Sequence, residues 1–327
     1  MIKWGIVGLG NMAQKFANAI KETNNAKLLS ISSLNSEKLK SFANNFQIDK
    51  NYVFDSYNDL ISCKEIDAVY IATLNNTHLN LIKSCAENKK NILCEKPLTL
   101  NFEEANEAAN YIAKHDVIFY EAIAYYSHGQ TKNLIALLNE NKIGKIISIN
   151  STFGFKVKRV NPKSRIFDKS LGGGAILDVG CYPLSLLNLI SKNSKNIKFA
   201  NAKGSFSSTD VDDSAEANLV IEDTIDSYVK ISFKENLENK LIIKGENGSL
   251  IVPNPWLPEM RSHIDVNYVN SSYKKFFTST KSLFGNQIQN VSANIESNKK
   301  KDDFLVNIEE SLKIMNNLTI WSDLIRK

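Results

Sequence analysis

The residues best placed to do chemistry are Glu95-Lys96-Pro97. An apolar run, Asn91-Ile92-Leu93-Cys94, reads as a buried strand, and the acid, the lysine and the proline follow at its carboxyl end. Open α/β sheets bind their ligands outside the carboxyl ends of their strands. A lysine there, flanked by an acid and by a proline that restricts the chain, can meet a substrate oxygen. The other reading is a solvated loop, because lysine is usually exposed. A second cluster lies in Gly172-Gly173-Gly174-Ala175-Ile176-Leu177-Asp178-Val179-Gly180-Cys181-Tyr182-Pro183. Its glycines let the chain enter a helix with the backbone close to a ligand. Asp178 and Tyr182 share one face of that helix by their spacing. An acid and a phenol on an otherwise apolar helix need partners when buried, so they form either a structural pair or a ligand-facing one.

The elements that must hold these residues begin at once. Ile2 to Val7 is an apolar strand, followed by Gly8-Leu9-Gly10-Asn11-Met12-Ala13 and an amphipathic helix to about Lys21. This strand, G-x-G-x-x-A turn and helix meet the context expected of a dinucleotide site. Gly8 permits the tight turn, Gly10 lets the backbone approach a pyrophosphate, and Ala13 lets helix and strand pack closely. The phosphates, with Asn11 and Met12 beside them, then sit on the helix N-terminus. A second strand, Lys27 to Ser32, leads into Ser33-Leu34-Asn35-Ser36, with no acid before Glu37. An acid there would hold the ribose 2′-hydroxyl of NAD and repel a 2′-phosphate. Its absence points to NADP, with NAD possible, and makes Ser33 and Asn35 phosphate contacts; Asn35 or Ser36 also suits the cap of the next helix.

The strand Ala68 to Thr73 ends in Leu74-Asn75-Asn76-Thr77-His78. Thr73 and Asn75 lie where this loop would meet the nicotinamide half of the cofactor, and His78 either holds the loop or touches the ligand. With a helix from Phe102 to Lys114 and a strand from Val117 to Tyr120, the alternation predicts a doubly wound parallel sheet, a Rossmann domain over residues 1–120. Residues 121–327 read as an α+β domain. A strand runs from Lys145 to Phe155. Then comes a basic loop with Lys156, Lys158, Arg159, Lys163 and Arg165, either solvated or a flap with Arg165 nearest the chemistry. Alternating runs from Phe199 to Val252, with a turn at Gly245-Glu246-Asn247-Gly248, predict an open, mainly antiparallel sheet. Lys274 to Lys301 reads as a long polar loop with one helix, and Phe304 to Ile325 as a core-facing terminal helix.

The chain has 327 residues, 43% of them hydrophobic and 23% charged, which is enough to build two cores. A net charge of +5 with no dense basic stripe argues against nucleic acid as a partner. No apolar run approaches the ~20 residues of a membrane span, so no membrane contact is expected. The start shows no n-region or apolar h-region, so no signal peptide is expected, and Cys63, Cys85, Cys94 and Cys181 show no zinc spacing. They fit reduced thiols in a cytoplasmic protein without a bound metal.

Taken together, Gly8-Leu9-Gly10-Asn11-Met12-Ala13, Ala72-Thr73 with Asn75 and His78, and Cys94-Glu95-Lys96-Pro97 resemble the Gfo/Idh/MocA oxidoreductases. The glycine-rich segment with Tyr182 is similar to that of the dihydrodiol dehydrogenase, D-xylose dehydrogenase and glucose–fructose oxidoreductase side of the family. Leu74 departs from the commoner proline. Tyr126 and Ser127 stand where relatives usually carry arginine and phenylalanine, so the substrate is expected to differ. The resemblance implies hydride transfer between NAD(P) and a carbon bearing a hydroxyl or carbonyl, in a sugar, a sugar derivative or a vicinal diol. It implies Lys96 and Tyr182 as the catalytic core, and does not settle which of them carries the proton. Asp178 would orient the substrate or steady one of the two, Glu95 would position Lys96 or the cofactor, and Arg165 and Tyr125 would contact substrate. A homodimer or homotetramer through the C-terminal sheet is also implied. A sugar-nucleotide ketoreductase and a non-enzymatic NAD(P)-sensing regulator are the other readings.

Overall fold

Strands buried on both faces read as near-continuous apolar runs and pair in parallel, and the first part of the chain does both. The computed structural model describes residues 1–191 and 197–327. Strands β1 (Ile2–Val7), β2 (Ala26–Ser32), β3 (Val53–Phe54), β4 (Ala68–Ile71), β5 (Asn91–Cys94) and β6 (Phe119–Glu121) alternate with helices α1 (Asn11–Ala19), α2 (Ser36–Phe46), α3 (Tyr57–Ser62), α4 (His78–Glu87) and α5 (Phe102–His115). Then come α6 (Gly129–Asn139), β7 (Ile146–Gly154), α7 (Cys181–Ile190), β8 (Ile197–Phe206), β9 (Asp212–Ile221), β10 (Ile225–Ser232), β11 (Lys240–Gly245), β12 (Gly248–Pro253), β13 (Arg261–Tyr268) and β14 (Ser272–Thr278). The chain closes with α8 (Leu283–Glu296), β15 (Val306–Asn307) and α9 (Ile308–Arg326).

The chain divides into two compact units, one of Met1–Ser127 with Lys281–Leu312, the other of His128–Thr280 with Lys313–Lys327. The division lies beyond the expected 120/121 boundary, and a distant segment returns to the first unit. That segment carries α8, the one helix expected in the polar stretch 274–301. Its Ile288 and Val291 enter the first unit's core, and its Ser292 Oγ accepts a 3.0 Å hydrogen bond from the buried Trp4 indole. The first unit's sheet runs β15-β6-β5-β4-β1-β2-β3, parallel except for β15. This is the doubly wound order, with its switch point between β1 and β4. One row of register partners, Phe54–Ser32–Val7–Ile71–Cys94–Glu121–Val306, crosses the whole sheet. The parallel strands therefore end level, and the loops that follow β1, β4 and β5 leave side by side. Strand spacing of 4.7–4.9 Å puts the ends of β1 and β5 roughly 10 Å apart. Beneath this edge Phe16 of α1 stacks on Tyr70 of β4 at 4.2 Å and meets Trp4 of β1 edge-on at 5.4 Å.

The second unit is built on an eight-stranded sheet in the order β14-β13-β12-β11-β7-β10-β9-β8. Among the described residues of this sheet, only β7 and β10 pair in parallel. β9 alternates between buried and more open positions, as a sheet covered on one face should. The 22 residues of Lys169–Ile190, with mean hydropathy 1.4 in their most apolar window, are by length and composition apolar enough to cross a membrane, although the winding is interrupted at Gly172 and Gly174, both at positive φ. Within the protein 78% of that window is buried; Leu184, Leu186 and Leu187 are core residues. Its apolarity serves a core helix.

Candidate active site

In the first unit, the site residues collect at the level strand ends. Gly8 has φ +88°, and a Cβ there would stand 2.7 Å from Thr73 Cγ2 and 2.8 Å from the Ala72 carbonyl oxygen. Glycine is required both by the left-handed backbone and by the close approach of the loop after β4. At Gly10 a Cβ would meet nothing within 4 Å. Gly10 and Asn11 are exposed and Met12 is half-buried. No side chain caps α1, and its first turn holds no acid. Open space over an uncapped helix N-terminus fits a dinucleotide pyrophosphate. At the end of β2, the Ser33 hydroxyl accepts from the Asn35 N–H at 3.2 Å, and Asn35 Oδ1 accepts from the Lys38 N–H at 2.9 Å. Asn35 therefore caps α2.

After β4, the Thr77 hydroxyl is hydrogen-bonded to the Thr73 hydroxyl and the Leu74 carbonyl, each at 2.7 Å, which folds the loop carrying the buried Asn75. His78 is wholly buried. Its Nδ1 lies 3.0 Å from the Pro97 carbonyl and 3.3 Å from the Leu98 carbonyl, so that nitrogen carries the proton and donates. Burial keeps the ring below the usual histidine pKa. These contacts tie the start of α4 to the loop after β5. There, buried Glu95 accepts a hydrogen bond from the Tyr70 phenol and one from the Lys96 N–H at 3.3 Å. The Lys96–Pro97 peptide bond is cis, and Lys96 itself is half-buried. Tyr125 lies in a buried 3₁₀ turn, edge-on to Tyr126 at 5.2 Å.

In the second unit, Asp178 sits in a π-helical turn, Ile176–Gly180, that runs into α7 and Tyr182. The π winding was not legible as such, and such turns concentrate at functional sites. Asp178 is 6% exposed and accepts a 2.8 Å hydrogen bond from Arg165, whose side chain is 51% exposed. The Tyr182 ring meets Phe153 edge-on at 5.1 Å. The turn is fixed from β9: Asp212 Oδ2 accepts from the Ile176 N–H at 2.6 Å. Gly174, at φ +123°, leaves room for that carboxylate. Desolvation pushes Asp212 up to about 6. Sequence reasoning missed three supporting residues: Tyr70, Asp212 and Glu121. For Glu121 a signal was present, an acid inside the apolar run Val117–Tyr126.

Comparison with known proteins agrees with this picture. Residues 2–123 match the oxidoreductase family with an NAD-binding Rossmann fold, and residues 131–251 match the GFO/IDH/MocA C-terminal domain. The chain is 30% identical over 259 residues to trans-1,2-dihydrobenzene-1,2-diol dehydrogenase of Xenopus tropicalis, covering 78% of this chain and 77% of that one. It is 29% identical over 186 residues to an NADP(+) D-xylose 1-dehydrogenase of Haloferax volcanii, covering 57% and 56%. In fold it is similar to an aldose-aldose oxidoreductase from Caulobacter crescentus, with a TM-score of 0.89, 19% identity and coverage of 99% and 97%. A 3-ketoreductase from Actinomadura kijaniata, solved with NADP and TDP-benzene, gives 0.88 at 19% identity, with the same coverage. The chain belongs to the Gfo/Idh/MocA family of oxidoreductases and carries that family's NAD(P)-binding domain.

Proposed function

We propose that this enzyme is an NADP-preferring dehydrogenase or reductase acting on a CH–OH carbon of a sugar, a sugar derivative or a vicinal diol. The observation that carries the reading is the placement of Lys96. It follows β5 level with the glycine turn after β1, and its neighbour Glu95 is anchored by Tyr70. When bound, the nicotinamide supplies or accepts hydride at C4. Gly8, Gly10, Asn11 and Met12 would hold the pyrophosphate on α1, with Thr73, Asn75 and Glu95 toward the nicotinamide half. The run Ser32 to Ser36 carries no acid, so a 2′-phosphate meets no repelling carboxylate and Ser33 and Asn35 offer it polar contacts.

As hydride leaves a carbinol carbon, its hydroxyl proton must leave too, and in reduction it must return. Lys96 and Tyr182 handle that proton, and a positioned acid–base group is worth roughly 10²–10⁴ in rate. Asp178, ion-paired with Arg165, orients the substrate, and Arg165 and Tyr125 are substrate contacts. The buried thiols of Cys85, Cys94 and Cys181 suit a reducing, cytoplasmic setting. The edge strand β14, with Tyr273 and Phe276 exposed, suits a homodimer or homotetramer contact. The exposed Lys156, Lys158, Arg159 and Lys163 favour a second reading, a nucleotide-linked sugar as substrate.

Fluorescence titration with NADPH and NADH, followed by turnover of D-xylose, trans-1,2-dihydrobenzene-1,2-diol and a TDP-linked ketosugar, separates the readings. The expected result is tighter binding of NADPH, turnover of a free sugar or diol, and at least a 100-fold loss of turnover in Lys96→Ala with NADPH binding kept. Full turnover in Lys96→Ala would refute the assignment of Lys96. Tight NADPH binding without any turnover would favour a sensor of the cofactor.

A further inference from the structure

Glu121 closes β6 and pairs in register with Cys94, the residue before Glu95 and Lys96. The Ala122 N–H donates to the Cys94 carbonyl at 2.7 Å, so the two chains leave the sheet in contact. The side chain of Glu121 is 0% exposed, and neither carboxylate oxygen makes a hydrogen bond of ordinary geometry. Burying a carboxyl without such bonds costs the fold stability. An apolar residue or a glutamine would serve a strand end better, so packing does not account for an acid here. The groups that face it belong to the neighbouring strand end and to α9. The Ser311 hydroxyl, the Leu98 backbone and the charge of Lys96 favour its ionised form, while burial and Glu95 oppose it. Cys94 is also within its field, and that thiol is pushed up, first by burial and then by Glu121. Burial is the largest of these effects on Glu121 and lifts its carboxyl to about 7.

We propose that Glu121 is a positioning residue for the reaction, a buried carboxylate behind the Glu95-Lys96 turn that sets the charge on the Lys96 amine. The proposal rests on the assignment of Lys96 to proton handling. Ionised, Glu121 stabilises the ammonium form of Lys96; neutral, it withdraws that support. The proton affinity of Lys96 then depends on a side chain that the substrate never touches.

Competitive acetylation of the cofactor-free protein with acetic anhydride from pH 6 to 11 tests this, with each lysine read by peptide mass spectrometry. In Glu121→Gln the reactivity curve of Lys96 should move to lower pH by about one pH unit or more, as expected when an opposite charge nearby is lost. Exposed Lys38 should keep its curve. An unchanged Lys96 curve in the folded variant overturns the proposal. Where Glu121→Gln does not fold, the reciprocal measurement decides: the ¹³C resonance of the Glu121 carboxyl should titrate at higher pH in Lys96→Met than in the wild type, and identical titration overturns it. The outcome is separable from the reading beneath it. Full turnover in Lys96→Ala removes lysine from catalysis whatever the labelling shows. A dead Lys96→Ala with an unmoved Lys96 curve keeps the lysine and rejects Glu121. Where both hold, the limb of the pH–rate profile that belongs to Lys96 moves in Glu121→Gln together with the labelling curve, while NADPH affinity stays within twofold.

Discussion

The two glycines of the first turn should fail in opposite ways when each is changed to alanine. Gly8→Ala forces a side chain into a backbone with φ +88° and brings its Cβ to 2.7 Å from Thr73 Cγ2 and 2.8 Å from the Ala72 carbonyl. The left-handed backbone costs about 1–2 kcal/mol, and overpacking a well-filled site about 1–3 kcal/mol. The sum, roughly 2–5 kcal/mol, lowers Tm by at least about 4 °C for a unit of this size. Gly10→Ala meets nothing within 4 Å and its backbone, at φ −88°, suits alanine. Its cost to the fold is the weaker N-cap, within about 1 kcal/mol. Its methyl group, however, fills the space over α1 assigned to the pyrophosphate, and a tenfold loss of NADPH affinity needs only about 1.4 kcal/mol. Differential scanning fluorimetry and NADPH fluorescence titration on both variants measure the contrast. Gly10→Ala binding NADPH as tightly as the wild type would refute the cradle over α1. A Gly8→Ala protein as stable as the wild type would refute the contact with the loop after β4.

His78→Ala removes the donor to the Pro97 and Leu98 carbonyls in a fully buried position. An unpaired buried group costs about 1–3 kcal/mol, so thermal melts should show a clear loss of stability, with turnover falling as the Lys96 loop loosens. Asp212→Ala deletes the acceptor of the Ile176 N–H and should cost about 1.5–3 kcal/mol; Asp212→Asn can keep that bond. Because the folded Asp212 is raised from 3.8 to about 6, its folded form binds protons that the unfolded chain has already released. That contribution to stability is present below pH 3.8 and lost as pH rises through about 6. The Tm of Asp212→Asn, measured against the wild type, should therefore climb between pH 4 and pH 7. A flat difference would rule out the buried-carboxyl account.

The sequence by itself determined most of the first unit. Continuous apolar runs such as Ala68–Ile71 and Asn91–Cys94 can be satisfied only between layers of helix, and Gly8 and Gly10 after the first of the strands mark the tight turn into α1 whatever follows. The placement of Glu95-Lys96 at a strand's carboxyl end was legible for the same reason, since strand ends are local events. Tertiary structure decided what depends on partners far along the chain. The place of α8, the one helix of a polar stretch, was hidden because its apolar residues gain meaning only against the first unit's core, where the Trp4 indole bonds to Ser292. The order of the strands, and with it the level row from Val7 through Ile71 and Cys94 to Glu121, is a matter of pairing that no single run encodes. The π turn under Asp178 is pinned by Asp212, and Glu121 is a lone acid in the sequence until the register sets it beside Cys94. A local pattern states which element forms; burial and charge at a position come from neighbours that the linear order does not show.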